Sequence, residues 1–173
     1  MTPLRITVLG GTGFVGRALV KRLAGDGHRV LLLSRNLGPH YDRLVPPGVE
    51  LRELDVHDVA ALTGAFAGSD AVINLVGILN EAGDNCQGFQ RVHVALTRSV
   101  IAACQSAGVK RLLQMSSLNA GRGSSHYLRS RGDAEAEVKS SGLAWTIFEP
   151  SVIFGDGDGL FCRFAALLKF APV

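Results

Sequence analysis

Seven consecutive residues, Gly10-Gly11-Thr12-Gly13-Phe14-Val15-Gly16, have the types and spacing to hold a diphosphate. Two glycine patterns overlap here, Gly10/Gly13/Gly16 and Gly11/Gly13/Gly16. The apolar run Ile6–Leu9 before them reads as a strand, and the amphipathic run Val15–Leu23 after them reads as a helix. In that setting Gly10 allows the tight turn, and Gly13 leaves the backbone open to a pyrophosphate. Gly16 lets the helix pack closely on the sheet. The helix start adds free N–H groups and the positive end of its dipole. The chain carries 21 glycines, so the spacing alone is a weak signal. The strand–turn–helix order is what predicts a dinucleotide site, against the alternative of a purely structural glycine turn.

Residues further along select the dinucleotide. A carboxylate after the second strand would bind both hydroxyls of an adenosine ribose and repel a 2′-phosphate. Here the stretch reads Leu33-Ser34-Arg35-Asn36, with no carboxylate. Arg35 can pair bidentately with a phosphate, and Ser34 and Asn36 can add hydrogen bonds to it. Arg17 is a further cation within reach of the turn. The prediction is NADP(H) in preference to NAD(H), with NAD(H) left open; the alternative for Arg35 is a solvated loop cation. Asp55 and Val56, after the third strand, suit the adenine, the carboxylate towards its amine and the valine against its ring. Asp55 as a cap for the helix starting near Asp58 is the competing role.

These residues need a frame, and strands and helices alternate throughout to supply one. Strands are predicted at Ile6–Leu9, Arg29–Leu33, Val49–Leu54, Ala71–Val76, Arg111–Met115 and Ala144–Phe148. Helices are predicted over Val15–Leu23, Asp58–Phe66, a long stretch from Phe89 past Ala103, Tyr127–Ser140, and Phe161–Phe170. In the first helix Val15, Ala18, Leu19 and Leu23 share one face. The strands are apolar without alternation, as strands covered on both faces must be. The pattern predicts an α/β, Rossmann-type, doubly wound parallel sheet with strand order 3-2-1-4-5-6, the ligand lying beyond the carboxyl ends of the strands. Asn74–Gly77, including Leu75, Val76 and Gly77, and Met115-Ser116-Ser117 then converge on the glycine turn.

Composition limits the classes. The 173 residues suffice for one domain over 1–173, and 47% hydrophobic with 19% charged residues argues against disorder. A net charge of +3 without a basic block gives no reason to expect nucleic acid. Cys86, Cys104 and Cys162 are widely spaced, so neither a metal site nor a disulfide framework is expected, and a reducing compartment is. No apolar run reaches the roughly 20 residues of a membrane span. With a first strand starting by about residue 4, which leaves no room for a leader, the expectation is a soluble cytoplasmic domain.

The glycine turn, Asn74-Leu75-Val76-Gly77 and a Tyr127-x-x-x-Arg131 helix resemble the short-chain dehydrogenase/reductase superfamily, in its extended and atypical branches. Three segments narrow the resemblance: Met115–Gly121, Ser124–Glu135 and Glu149–Gly155. They resemble the NDUFA9-like group, the accessory subunit of respiratory complex I and its bacterial relatives. The resemblance implies roles. Tyr127 takes the place of the proton-transferring tyrosine, and Arg131 that of the lysine which binds the ribose and lowers the tyrosine pKa. Spacing i, i+4 sets both on one helix face. An arginine holds its charge but cannot relay a proton. Leu118 stands where the active serine or threonine is expected, with Ser117 as a substitute next door. Packing of the Tyr127 ring at a helix start is the alternative to catalysis. His93 sits where relatives carry an asparagine bracing the fourth strand's loop; a packed or solvated histidine is the expectation. Backbone groups of Pro150, Ser151 and Val152 would face the nicotinamide carboxamide.

The resemblance also implies a C-terminal lobe for an unknown small-molecule substrate, of which residues 156–173 would be the start. Exposed Phe161, Phe164 and Leu168 would then favour self-association, and a complex I-like protein partner is a further implication. The overall expectation is a protein that binds the dinucleotide more than it turns it over. The alternative is an active reductase or nucleotide-sugar epimerase or dehydratase using Tyr127.

Overall fold

The computed structural model describes residues 2–36, 46–81 and 85–155. Six parallel strands form one sheet: β1 (Arg5–Leu9), β2 (Arg29–Ser34), β3 (Val49–Glu53), β4 (Ala71–Asn74), β5 (Arg111–Met115) and β6 (Ala144–Phe148). Their order is β3-β2-β1-β4-β5-β6, as the alternation of elements predicts. The helices are α1 (Phe14–Gly25), α2 (Val59–Phe66), α3 (Gln87–Phe89), α4 (Leu96–Ala107) and α5 (His126–Ser140). A π-helical turn, Gln90–Ala95, joins α3 to α4.

Both faces of the sheet are buried. On one, Leu9, Leu31, Leu33, Val72 and Leu112 pack against Leu62 and Phe66 of α2, Leu96 and Val100 of α4, and Val138 of α5. On the other, Ile6, Val8, Val30, Leu32 and Ile73 pack against Val20 of α1. Successive residues of β2 thus serve opposite cores, which is why the strand shows no polar alternation. β4 ends at Asn74, two residues short of the predicted Val76. The Asn74 carboxamide oxygen accepts the Val76 N–H at 3.1 Å, closing the chain into a turn. The predicted helix over Phe161–Phe170, the turn at 156–159 and the apolar residues expected to self-associate lie outside the described residues.

Two sequence expectations about the first unit change. Gly16 does not meet the sheet; a Cβ there would lie 2.4 Å from the Gly10 oxygen and 2.4 Å from the Gly11 Cα, so α1 is pressed onto the turn itself. Contact with the sheet belongs to Gly11, whose Cβ would lie 2.1 Å from Leu32 Cδ1. Anchoring α1 at Gly16 also sets its rotation. Val20, one turn on from Gly16, is buried, and Leu23 and Ala24, about two turns on, pack beside it, while Ala18 faces solvent.

Gly16→Ala is therefore expected to destabilise the fold by about 2 kcal/mol or more, because backbone atoms must give way. Gly25→Ala, where nothing lies within 4 Å, is expected to stabilise it by up to about 1 kcal/mol. Chemical denaturation of the two variants checks both signs.

Candidate functional site

The glycine turn has the geometry an anion needs. Gly10 takes φ +76°, and its carbonyl accepts the Gly13 N–H at 3.1 Å. Gly13 is the N-cap of α1 in extended conformation, with no side chain to cap the helix. The first-turn N–H groups are left for a ligand. Thr12 and Phe14 are half-buried beside them, as is Val15. Arg17 folds back, its Nη1 3.4 Å from the Thr12 carbonyl oxygen.

From this turn a cleft of about 320 Å³ runs across the carboxyl ends of β1, β2 and β4. Gly10 and Thr12 form its floor, and Leu33, Ser34, Arg35 and Asn36 one wall. Val56 and His57 close it after β3, and Val76, Gly77 and Ile78 after β4. Val92 of the π turn and Leu96 of α4 complete it; sequence reasoning did not assign these two, because their helical spacing marks them only as core. The Ser34 hydroxyl donates to the Asn36 carbonyl at 3.0 Å, shaping the loop that presents Arg35. Asp55 does not cap α2. Asp58 does, accepting from Ala60 and Ala61, while Asp55 closes a local turn on the His57 N–H. Leu75 points into the second core, so its part in the site is backbone only; a Cβ on Gly10 would lie 3.0 Å from the Leu75 carbonyl carbon.

None of the residues expected to do catalysis, Tyr127, Arg131 and Ser117, lines that cleft. The Arg131 guanidinium lies 5.5 Å from the Tyr127 ring centroid, so the i, i+4 pairing holds. Arg131 is buried, and its Nη1 donates to the Met115 carbonyl at 3.1 Å. A Cβ on Gly77 would lie 1.9 Å from Nη2, so the guanidinium occupies the space that glycine leaves. Its buried Nε has no partner among the described residues, and neither has the buried Ser117 Oγ. Ser116 does not face the cleft; its hydroxyl donates to the buried Glu135 carboxylate at 2.6 Å, and Lys139 pairs with the other oxygen at 2.8 Å. Leu118 is half exposed, its N–H bound to the Pro150 carbonyl at 2.8 Å. Ser151 and Val152 are exposed. Gly155 reaches back towards the Phe14 ring.

His93 is packed, and it does brace the loop after β4. It lies in the π turn, 1% exposed, with Phe89 and Tyr127 rings against it. Its Nε2 accepts the Ile78 N–H at 3.2 Å, so in the neutral ring Nδ1 carries the proton and donates to Ser130 Oγ at 2.8 Å. Ser130 in turn donates to the Tyr127 carbonyl at 2.9 Å. The loop after β4 and the start of α5 are thereby tied through one imidazole. Burial, and then the Arg131 charge, push the His93 pKa down to about 3. Burial likewise pushes the Cys104 thiol up to about 12, which leaves it inert. Among the described residues no group of three His, Cys, Asp or Glu could hold a metal ion, and no helix is long and apolar enough to cross a membrane.

The His93 shift has a signed consequence. The unfolded chain binds a proton at this site below about pH 6.5, while the folded chain does so only below about 3. Stability is therefore fully present above pH 6.5 and declines as pH falls through that window. From pH 7 to pH 5 the loss attributable to His93 is on the order of 2 kcal/mol. In His93→Asn, denaturation midpoints at the two pH values should lose that component of their difference.

Residues 10–162 match the NAD(P)H-binding family. The mouse mitochondrial NADH dehydrogenase (ubiquinone) 1 alpha subcomplex subunit 9 is 36% identical over 96% of this chain, which covers 45% of that protein. The 2-alkyl-3-oxoalkanoate reductase of Stenotrophomonas maltophilia is 30% identical over 90% of the chain and 52% of its own length. The chain thus spans about half the length of these relatives. The Bordetella bronchiseptica enzyme WbmG, solved with NAD and UDP, superposes with a TM-score of 0.82 at 23% identity, covering 98% of this chain and 61% of that one. That likeness shows the fold. With the glycine turn, the strand order and the family match in agreement, the chain belongs to the NAD(P)H-binding family, with a Rossmann fold, and is related to the complex I accessory subunit.

Proposed function

We propose that the chain holds NADP(H) in preference to NAD(H) in the cleft between the glycine turn and Arg35, and serves as an oxidoreductase-like cofactor holder with little turnover. The observation that carries the second half of this reading is Arg131. It is buried, held by the Met115 carbonyl and pressed against Gly77. A guanidinium so placed keeps its charge and cannot pass a proton on. Leu118, half exposed and without a hydroxyl, supports the same reading. Arg35 supports the preference for a 2′-phosphate: it lines the cleft, and no carboxylate stands beside it on the Ser34–Asn36 loop. The mouse relative's name makes a respiratory-complex partner a natural proposal for this chain as well. Among the described residues Cys86 and Cys104 form no disulfide, in keeping with the reading of a reducing, cytoplasmic setting.

A second reading, a reductase of a small carbonyl compound or a nucleotide-sugar epimerase or dehydratase, has its own support. The Ser117 hydroxyl lacks a partner among the described residues, the Tyr127 ring stands over a cation, and one relative is named a reductase. In that reading Tyr127 would deliver the proton and Ser117 would hold the substrate oxygen.

Two measurements test these readings. Fluorescence titration should show NADPH bound more tightly than NADH, with Arg35→Asp lowering the affinity ratio by about tenfold or more. NADPH consumption over a panel of carbonyl compounds should be as low for the wild type as for Tyr127→Phe. Turnover that falls about a hundredfold in Tyr127→Phe while NADPH binding persists establishes the reductase reading instead.

A further inference from the structure

A second hollow, of about 490 Å³, is lined by Arg35, Glu53, Leu54, Asp55 and Arg91. Arg35 lines both this hollow and the cofactor cleft. Arg91 stands in the π turn directly before Val92, which lines the cleft. The two hollows therefore share Arg35, and each is lined by one of two neighbouring residues of the π turn.

We propose that Arg91 is a second cation of the 2′-phosphate subsite, closing with Arg35 on a phosphate carried by the adenosine ribose. This rests on the NADP(H) reading above and adds a residue from a different element. The hollow also carries the carboxylates of Glu53 and Asp55, so a phosphate held there needs more than one guanidinium beside it. Arg91 supplies a second planar set of donors on the same hollow. Among the described residues neither guanidinium has a hydrogen-bond or ion-pair partner, whereas Arg22, Arg52 and Arg98 are each held by a carboxylate. Two uncommitted guanidinium groups on the same hollow match a phosphate ester, which NADP(H) carries on its adenosine ribose and NAD(H) lacks there.

The test is titration of the full chain with NADPH and NADH by fluorescence, with adenosine 2′,5′-bisphosphate and 5′-ADP as competitors. Arg91→Gln is expected to weaken NADPH and the bisphosphate about tenfold while leaving NADH and 5′-ADP unchanged; Arg91→Lys retains part of the affinity. Arg91 is exposed, so the melting temperature should not move, which separates binding from folding. If Arg35→Gln lowers the NADPH/NADH ratio and Arg91→Gln leaves it at the wild-type value, the role of Arg91 is overturned and the NADP(H) reading stands. A wild-type chain that does not favour NADPH overturns both.

Discussion

The contact of Gly16 with the Gly10–Gly11 backbone is the constraint from which the site follows. Any Cβ at Gly16 would sit within 2.4 Å of backbone atoms, so the helix and the turn are in contact along their main chains. That contact brings the uncapped start of α1 over the end of β1 and aims its free N–H groups at the cleft. It also fixes the rotation of α1, which puts Val20 into the second core. Gly11 carries the constraint one step further, because the turn rests on Leu32 of β2 with no room for a side chain. The loop bearing Arg35 follows that same strand, so turn and loop are referenced to one another through the sheet.

A second set of ties holds the other half of the site. Asn74 pairs with Gln114 across β4 and β5, and Gln114 and Arg131 both reach the Met115 carbonyl. Glu135 holds Ser116, and His93 joins Ile78 to Ser130. These bonds are buried or part-buried, and each gives its polar atoms a partner, so each loop has a fixed place at small net cost. The price of the arrangement is commitment: groups that might have faced a substrate are spent on holding strands and helices together. The proposed bias towards binding over turnover draws on that commitment.

Much of this was legible in the sequence. Regular alternation of apolar runs and amphipathic runs is enough for the strand order, and the glycine spacing is enough for the turn. Arg35 was legible because its loop position is counted from a strand end. What was not legible depends on three-dimensional neighbours. The π turn at Gln90–Ala95 has ordinary helical spacing of Phe89, Val92 and Leu96, so nothing in the order of residues announces it. Gly16 meets the turn, and Gly11 takes the contact with the sheet expected of Gly16, because spacing cannot say which surface a missing Cβ would strike. Arg131 was found as the partner of Tyr127, but its seat against Gly77 joins residues more than fifty positions apart. Arg91 belongs to no motif in the sequence, and only the hollow it shares with Arg35 gives it a neighbour.

Hydrogen–deuterium exchange with and without saturating NADPH tests the central claim most directly, since it reports where the ligand sits as well as whether it binds. The account predicts slowed exchange in the Gly10–Gly16 turn, in the Ser34–Asn36 loop and around Gly77–Ile78, with little change in β6. Unchanged exchange in the glycine turn at saturating NADPH, or protection confined to another part of the sheet, would contradict it.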